Sequence, residues 1–110
     1  MISTAYAGVA FSAAHQVGEG RCSKHHGHVW RIQAAFQDRK GDPIDTDGTL
    51  ASLHEIRSEL HLRDLNSMIK PSIPDAEGLA RWVMERLLQQ WPVIEVMVWQ
   101  DEEVGVRLSR

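Results

Sequence analysis

Cysteine is nearly absent. The chain of 110 residues has one, Cys22. A single thiol makes no internal disulfide, which points to a reducing compartment, the cytoplasm. Excess positive charge is absent as well. Twelve Lys and Arg stand against 15 Asp and Glu, a net charge of −3. That leaves no polycation for nucleic acid and no acidic tail. No apolar run approaches the ~20 residues of a membrane span, so no membrane role is expected. The N-terminus has no basic stretch leading into an apolar one, so no signal peptide is expected. Linkers, low-complexity tracts and clear internal repeats are also missing. What remains is ordinary for a soluble globular protein: 43% hydrophobic and 25% charged residues. The length fits a single domain over residues 1–110, with a core modest enough that oligomerisation would help it.

Period and punctuation divide the chain into six elements. Ile2 to Ala14 is uncharged and rich in Ala, Val, Tyr and Phe, and reads as a strand buried or paired on both sides. Gln16 to Lys24, with Gly18 and Gly20, is a loop. A second strand runs from His26 to Gln37, so the two strands form a long hairpin-like unit. Asp38 to Ile44 is turn material around Gly41 and Pro43. A first helix is expected over Gly48–Leu60, capped by Asp47 or Thr49, with Leu50, Leu53, Ile56 and Leu60 at helical spacings. Leu62 to Pro74 is irregular. A second helix covers Asp75–Gln90, with Asp75 as N-cap and Leu79, Ala80, Trp82, Val83 and Leu87 apolar. Strands over Val93–Trp99 and Val104–Ser109 close the chain, with Ile94, Val96 and Val98 on one face of the first. The order ββααββ predicts an α+β fold, an antiparallel sheet with both helices on one face.

The chemistry gathers near the connecting end of the first hairpin. Four of the six histidines and the lone cysteine lie between His15 and His28. His26 and His28 are two apart, so on a strand both rings project from one face. His15 ends the preceding strand and reaches that face if the strands pair antiparallel. Three neutral imidazoles leave one position of a tetrahedral zinc open, as catalytic sites do. A bland alternative is a satisfied polar patch on a sheet. Cys22 sits among Arg21, Lys24 and His25, which favours its thiolate; it reads equally as a small buried hydrophobe. His25 points away from His26 on a strand, and His54 falls on the solvent side of the first helix.

Phe11-Ser-Ala-Ala-His15 followed by Cys22-x-x-x-His26-Gly-His28 resembles the 6-pyruvoyl-tetrahydropterin synthase family, which includes the 6-carboxy-tetrahydropterin synthases of the queuosine (7-deazaguanine) pathway. The resemblance extends to Asp64-Leu-Asn66, to Pro74-Asp-Ala-Glu77-Gly-Leu-Ala80-Arg-Trp82 and to Val96-Met-Val-Trp99, nearly the whole chain. It implies the tunnelling fold, in which sheets of several ββααββ protomers close into a barrel, typically a trimer, two of which stack into a hexamer. It implies a zinc-dependent lyase that eliminates triphosphate from 7,8-dihydroneopterin triphosphate. His15, His26 and His28 would hold Zn2+, and Cys22 would move protons beside the polarised carbon. Arg21 and Lys24 would meet phosphate. The short chain leans toward the 6-carboxy branch.

The sequence also departs from the family pattern. The family carries an Asp-His pair before the Leu-Asn; here the matching positions hold His61 and Leu62, or Leu60 and His61 with one inserted residue. His61 is then either a proton carrier without its carboxylate or a helix-terminal residue favoured by the dipole. The glutamate that anchors the pterin's guanidine-like edge is matched by Gln100, whose amide offers one acceptor oxygen. Pro-Thr-x-Glu-Asn becomes Pro74-Asp75-Ala-Glu77-Gly78, which keeps Glu77 as a substrate-anchoring candidate. These departures motivate two rivals: an enzyme of the same fold with an altered pterin- or purine-like substrate, and a non-catalytic zinc- or pterin-binding homologue. Cys22 as a fourth zinc ligand is a further possibility.

Overall fold

The computed structural model describes residues 1–18, 24–39 and 41–110. Cys22 and Arg21 lie outside the described residues. Two twelve-residue strands, β1 (Thr4–His15) and β2 (His26–Gln37), pair antiparallel in unbroken register from Thr4↔Gln37 to His15↔His26. Helices α1 (Thr46–Leu60), α2 (Leu65–Met68) and α3 (Ala76–Leu88) follow, then β3 (Val93–Gln100) and β4 (Val104–Ser109). The four strands form one antiparallel sheet in the order β1-β2-β3-β4. α1 packs on β1, and α3 on β3 and β4. This is the expected α+β arrangement with both long helices on one face. Among the described residues no helix is long and apolar enough to cross a membrane.

Period-two alternation builds the sheet side of the core. Val9, Phe11 and Ala13 of β1 lie with Trp30, Ile32, Ala34 and Phe36 of β2 and Val96 and Val98 of β3, all buried. Burying them against Leu53, Ile56, Leu60, Leu79, Val83 and Leu87 supplies the main driving force, at about 1.5–3 kcal/mol per large side chain. β1 is not buried on both sides as its uncharged sequence suggested. Its alternate residues, Tyr6 among them, face solvent; β2 is its strand neighbour in the sheet, and its other edge is met by the short segment of residues 62–64. Small residues such as Ala and Gly8 carry little information about burial, which is why the pattern misled.

Three local expectations shift for identifiable reasons. Asp45, not Asp47 or Thr49, caps α1: its side chain accepts from the Gly48 N–H at 2.9 Å. The buried face then starts at Thr49, whose hydroxyl donates to the Thr46 carbonyl, while Leu50 is exposed. In β3, Ala35 pairs with Glu95 but Phe36 pairs with Val93. This bulge passes over Ile94 and turns Val93 inward in its place. Between α1 and α3, Asp64 caps the single turn of α2 by accepting from the Asn66 N–H. Leu65 and Ile69 of that stretch are fully buried, so it is not merely irregular. Asp75 caps α3 as expected, through Gly78 N–H at 2.7 Å.

Gly78 also decides how the chain enters α3. A Cβ there would lie 1.7 Å from the Ile73 carbonyl oxygen, a backbone atom with little room to move. In an open helix Gly→Ala gains about 1 kcal/mol. Here Gly78→Ala is expected to lower stability by about 1–3 kcal/mol, the usual cost of overpacking. Urea denaturation checks the sign; a stabilised G78A protein would contradict the packing described.

Candidate metal centre

Antiparallel pairing puts His15 directly opposite His26, and Ala13 opposite His28. Partners in such a pair share a face, so all three rings project on the helix side of the sheet, at the end where β1 connects to β2. Trp30 lies beneath them, fully buried, its ring 5.1 Å from His15 and 5.6 Å from His28 between centroids. Its Nε1–H donates to the Ala13 carbonyl at 3.1 Å, which locks the platform to β1. The three imidazoles meet edge to face, with centroids 4.5–4.9 Å apart.

Each ring has its Nδ1 tied to an oxygen. His15 Nδ1 donates to the Pro74 carbonyl at 2.6 Å, and His26 Nδ1 to the Lys24 carbonyl at 2.7 Å. His28 Nδ1 donates to Asp101 Oδ2 at 2.5 Å. A carbonyl or carboxylate oxygen only accepts, so each neutral ring carries its proton on Nδ1 and a bare lone pair on Nε2. His15 Nε2 and His26 Nε2 face each other at 2.9 Å. Two lone pairs at that distance make no hydrogen bond; they repel unless a cation lies between them. His28 Nε2 is buried with no hydrogen-bond partner among the described residues. The three ligand atoms all lie within 4.8 Å of one another. A tetrahedral ion with nitrogens at about 2.0–2.1 Å sets them about 3.3 Å apart. The donor set therefore fits a metal ion, and the oxygen partners hold each ring in the tautomer that ligation requires.

Next to His28 opens a cavity of ≈ 660 Å³, with Ser12, Val29, Leu62, Arg63, Asp64 and Asp101 also in its wall; of the triad it is His28 that lines it. The segment after α1 forms one side by lying along the edge of β1. The Leu62 N–H donates to the Ser12 carbonyl at 2.6 Å, and the Ala14 N–H to the Arg63 carbonyl at 3.0 Å. Leu62 takes a left-handed φ of 61° and its side chain is mostly exposed. Asp64 is held by His25 Nε2 at 3.0 Å and by the Asn66 N–H.

The other sequence candidates sit apart from this wall. His61 is the C-cap of α1, and its Nδ1 accepts from the Ser12 N–H at 3.2 Å. The cavity is lined by the three residues after it rather than by His61 itself. Glu77 is exposed in the first turn of α3 and paired with Arg81 at 3.2 Å, beside a separate cavity of ≈ 250 Å³. Gln100 ends β3, opposite Trp30 and Val104 in the ladder. Lys24 is exposed and serves His26 through its carbonyl. His54 is exposed, as expected. Two pairings escaped the sequence reading: Asp101 with His28, and His25 with Asp64. The register that sets Trp30 against Gln100 was the signal for Asp101, since it brings the next residue toward His28.

Burial, first, and the nearby His26 and His28 hold the His15 pKa below its ordinary value of about 6.5, against the Pro74 hydrogen bond, which raises it. Asp101 is held below the ordinary carboxylate range by its bonds from His28 and from the Val29 N–H. For His15 the unfolded chain takes up its proton at about 6.5 and the native chain only at lower pH. The metal-free protein therefore loses stability as pH falls through about 6.5, and no further loss from this group follows once the native ring is protonated. Urea midpoints between pH 8 and pH 5 should fall more steeply for the wild type than for His15→Gln. Parallel profiles would contradict this.

The comparisons with known proteins agree with this fold. The family model for 6-pyruvoyl tetrahydropterin synthase matches residues 5–110. Among solved structures, the 6-pyruvoyl tetrahydropterin synthase of Caenorhabditis elegans superposes with a TM-score of 0.86 at 16% identity, covering 100% of this chain and 96% of that one. An uncharacterized protein of Wolinella succinogenes gives 0.81 at 15% identity, covering 100% and 99%. At such identities these likenesses speak for the fold. No curated protein matches the sequence significantly. The family model covers nearly the whole chain, and on that match the chain belongs to the 6-pyruvoyl tetrahydropterin synthase family.

Proposed function

We propose that the chain is a zinc-dependent lyase of the 6-carboxy-/6-pyruvoyl-tetrahydropterin synthase type, acting on 7,8-dihydroneopterin triphosphate with elimination of triphosphate. The observation that carries this is the convergence of three imidazole Nε2 lone pairs, on rings of which His28 lines an open cavity, in a chain of this family. His15, His26 and His28 would hold the ion, which when bound supplies Lewis-acid polarisation of the substrate's side-chain oxygens. Elimination needs a proton taken from carbon as triphosphate departs. Cys22 is the proposed proton carrier, in a loop whose Arg21 and Lys24 favour a thiolate. His61 is proposed as a second proton carrier; its Nδ1 already accepts from a backbone N–H, so a proton sits on Nε2. Arg63 on the cavity wall, with Arg21 and Lys24, supplies positive charge for phosphate.

Glu77 and Gln100 are the proposed contacts to the pterin. Neither lines the metal cavity within one chain, which fits a site completed by a neighbouring protomer. A homo-oligomeric barrel is proposed on the same ground. β1 and β4 end the sheet, exposed Tyr6 and Val29 lie on the face away from the helices, and closure removes such edges. A cytoplasmic setting follows from the lone cysteine.

A second reading, with an altered pterin- or purine-like substrate, is favoured by one feature. Leu62 stands in the cavity wall where ungapped alignment puts the family's histidine. Thermal-shift panels of pterins and purines separate the two by which compound stabilises the protein most.

Zinc-loaded protein incubated with 7,8-dihydroneopterin triphosphate should release triphosphate. Cys22→Ala should slow release about 10²–10⁴-fold, the usual share of acid–base catalysis. A wild type no faster than C22A would overturn the proposal.

A further inference from the structure

Among the described residues, His28 is the one ring of the three whose Nδ1 donates to a side chain. His15 and His26 donate to the carbonyls of Pro74 and Lys24, which no substitution removes. His28 donates to the Asp101 carboxylate, from the turn joining β3 to β4. We propose that Asp101 is a positioning residue of the metal centre, fixing His28 in the Nδ1–H tautomer so that its Nε2 lone pair faces the ion. This rests on the metal reading above and extends it to a residue outside the ligand set.

Asp101 is fastened to β2 at three points. Its N–H donates to the Val29 carbonyl at 2.8 Å, its Oδ1 accepts from the Val29 N–H at 2.8 Å, and its Oδ2 accepts from His28 Nδ1. One carboxylate thus ends the β2 edge and sets the adjacent ring. The turn places Asp101 at φ 52° and Glu102 at φ 61°. Asp and Asn tolerate this left-handed region better than other residues with a side chain. The position asks for a short side chain at home in that conformation and for two acceptor oxygens, and Asp satisfies both. The partner on His28 decides which nitrogen holds the proton. With the carboxylate in place, Nδ1 is the donor, and the buried Nε2 has no partner among the described residues. Carboxylate–histidine–metal arrangements work this way, and loss of the outer partner typically costs 10–100-fold in metal affinity.

Asn at this position separates the tautomer from the turn. Asn keeps the left-handed backbone and one acceptor for the Val29 N–H. Its NH2 then faces His28 Nδ1, which must accept, and the proton moves to Nε2, where it blocks ligation. Zn2+ and Co2+ titrations of Asp101→Asn should show affinity about 10–100-fold below wild type. The melting temperature of the metal-free variant should stay close to wild type. Long-range 1H–15N spectra of the metal-free proteins should show His28 as Nδ1–H in the wild type and Nε2–H in D101N. Glu102→Gln, next along the turn, exposed and paired only with Arg31 among the contacts of the described residues, should bind both ions as the wild type does. Unchanged affinity in D101N overturns the inference while leaving the metal reading in place. Lost affinity with His28 still Nδ1–H overturns it too, since the effect would then come from the turn. A wild type that binds neither ion overturns both.

Discussion

A slip of one residue between β1 and β2 would send His15 to the opposite face from His26 and His28. The unbroken register of this pair is the constraint on which the site depends. It is fixed by the core rather than by the histidines. Val9, Phe11 and Ala13 on β1 and Trp30, Ile32, Ala34 and Phe36 on β2 must all face the helices. Slipping the register would expose the whole set, at a cost far above the few kcal/mol any single contact supplies. The same alternation that buries the core therefore carries three imidazoles to one point at its end. Trp30 joins the two roles, as a core residue and as the floor of the triad.

Around that point the protein supplies oxygen acceptors from three separate places: the entry to α3, the loop before β2 and the turn after β3. Each takes an Nδ1 proton and leaves Nε2 bare. The helices matter here for position. Asp75 caps α3 and Gly78 lets the Ile73–Pro74 backbone lie close, so the Pro74 carbonyl is held against His15. α1 ends at His61, and the next three residues run along β1 to form the cavity wall.

Much of this was legible in the sequence because it is periodic or local. The His26/His28 spacing is a strand's period of two, and His15 closes an apolar alternation. The helices announced themselves by apolar spacing and by Asp75 at its cap. The misses are of another kind. The Ile94 bulge answers to packing across β2 and β3, which no local pattern records. Asp45 caps α1 because the preceding turn delivers it there, although Asp47 and Thr49 had equal propensity. Asp101 and the His25–Asp64 pair join residues 73 and 39 positions apart. Their roles exist only once the sheet and the α1–α2 connection are built. The three histidines that the resemblance names as ligands do converge on one point, while Gln100 and Glu77 fall outside the cavity of a single chain.

Zinc K-edge X-ray absorption of the zinc-loaded protein tests the central claim most directly. The geometry predicts three imidazole nitrogens at about 2.0–2.1 Å, with the outer-shell scattering of intact rings. His28→Ala should reduce that imidazole signal by about one ring in three, following the three converging Nε2 atoms. A shell without imidazole scattering, or one unchanged by removing His28, would contradict it.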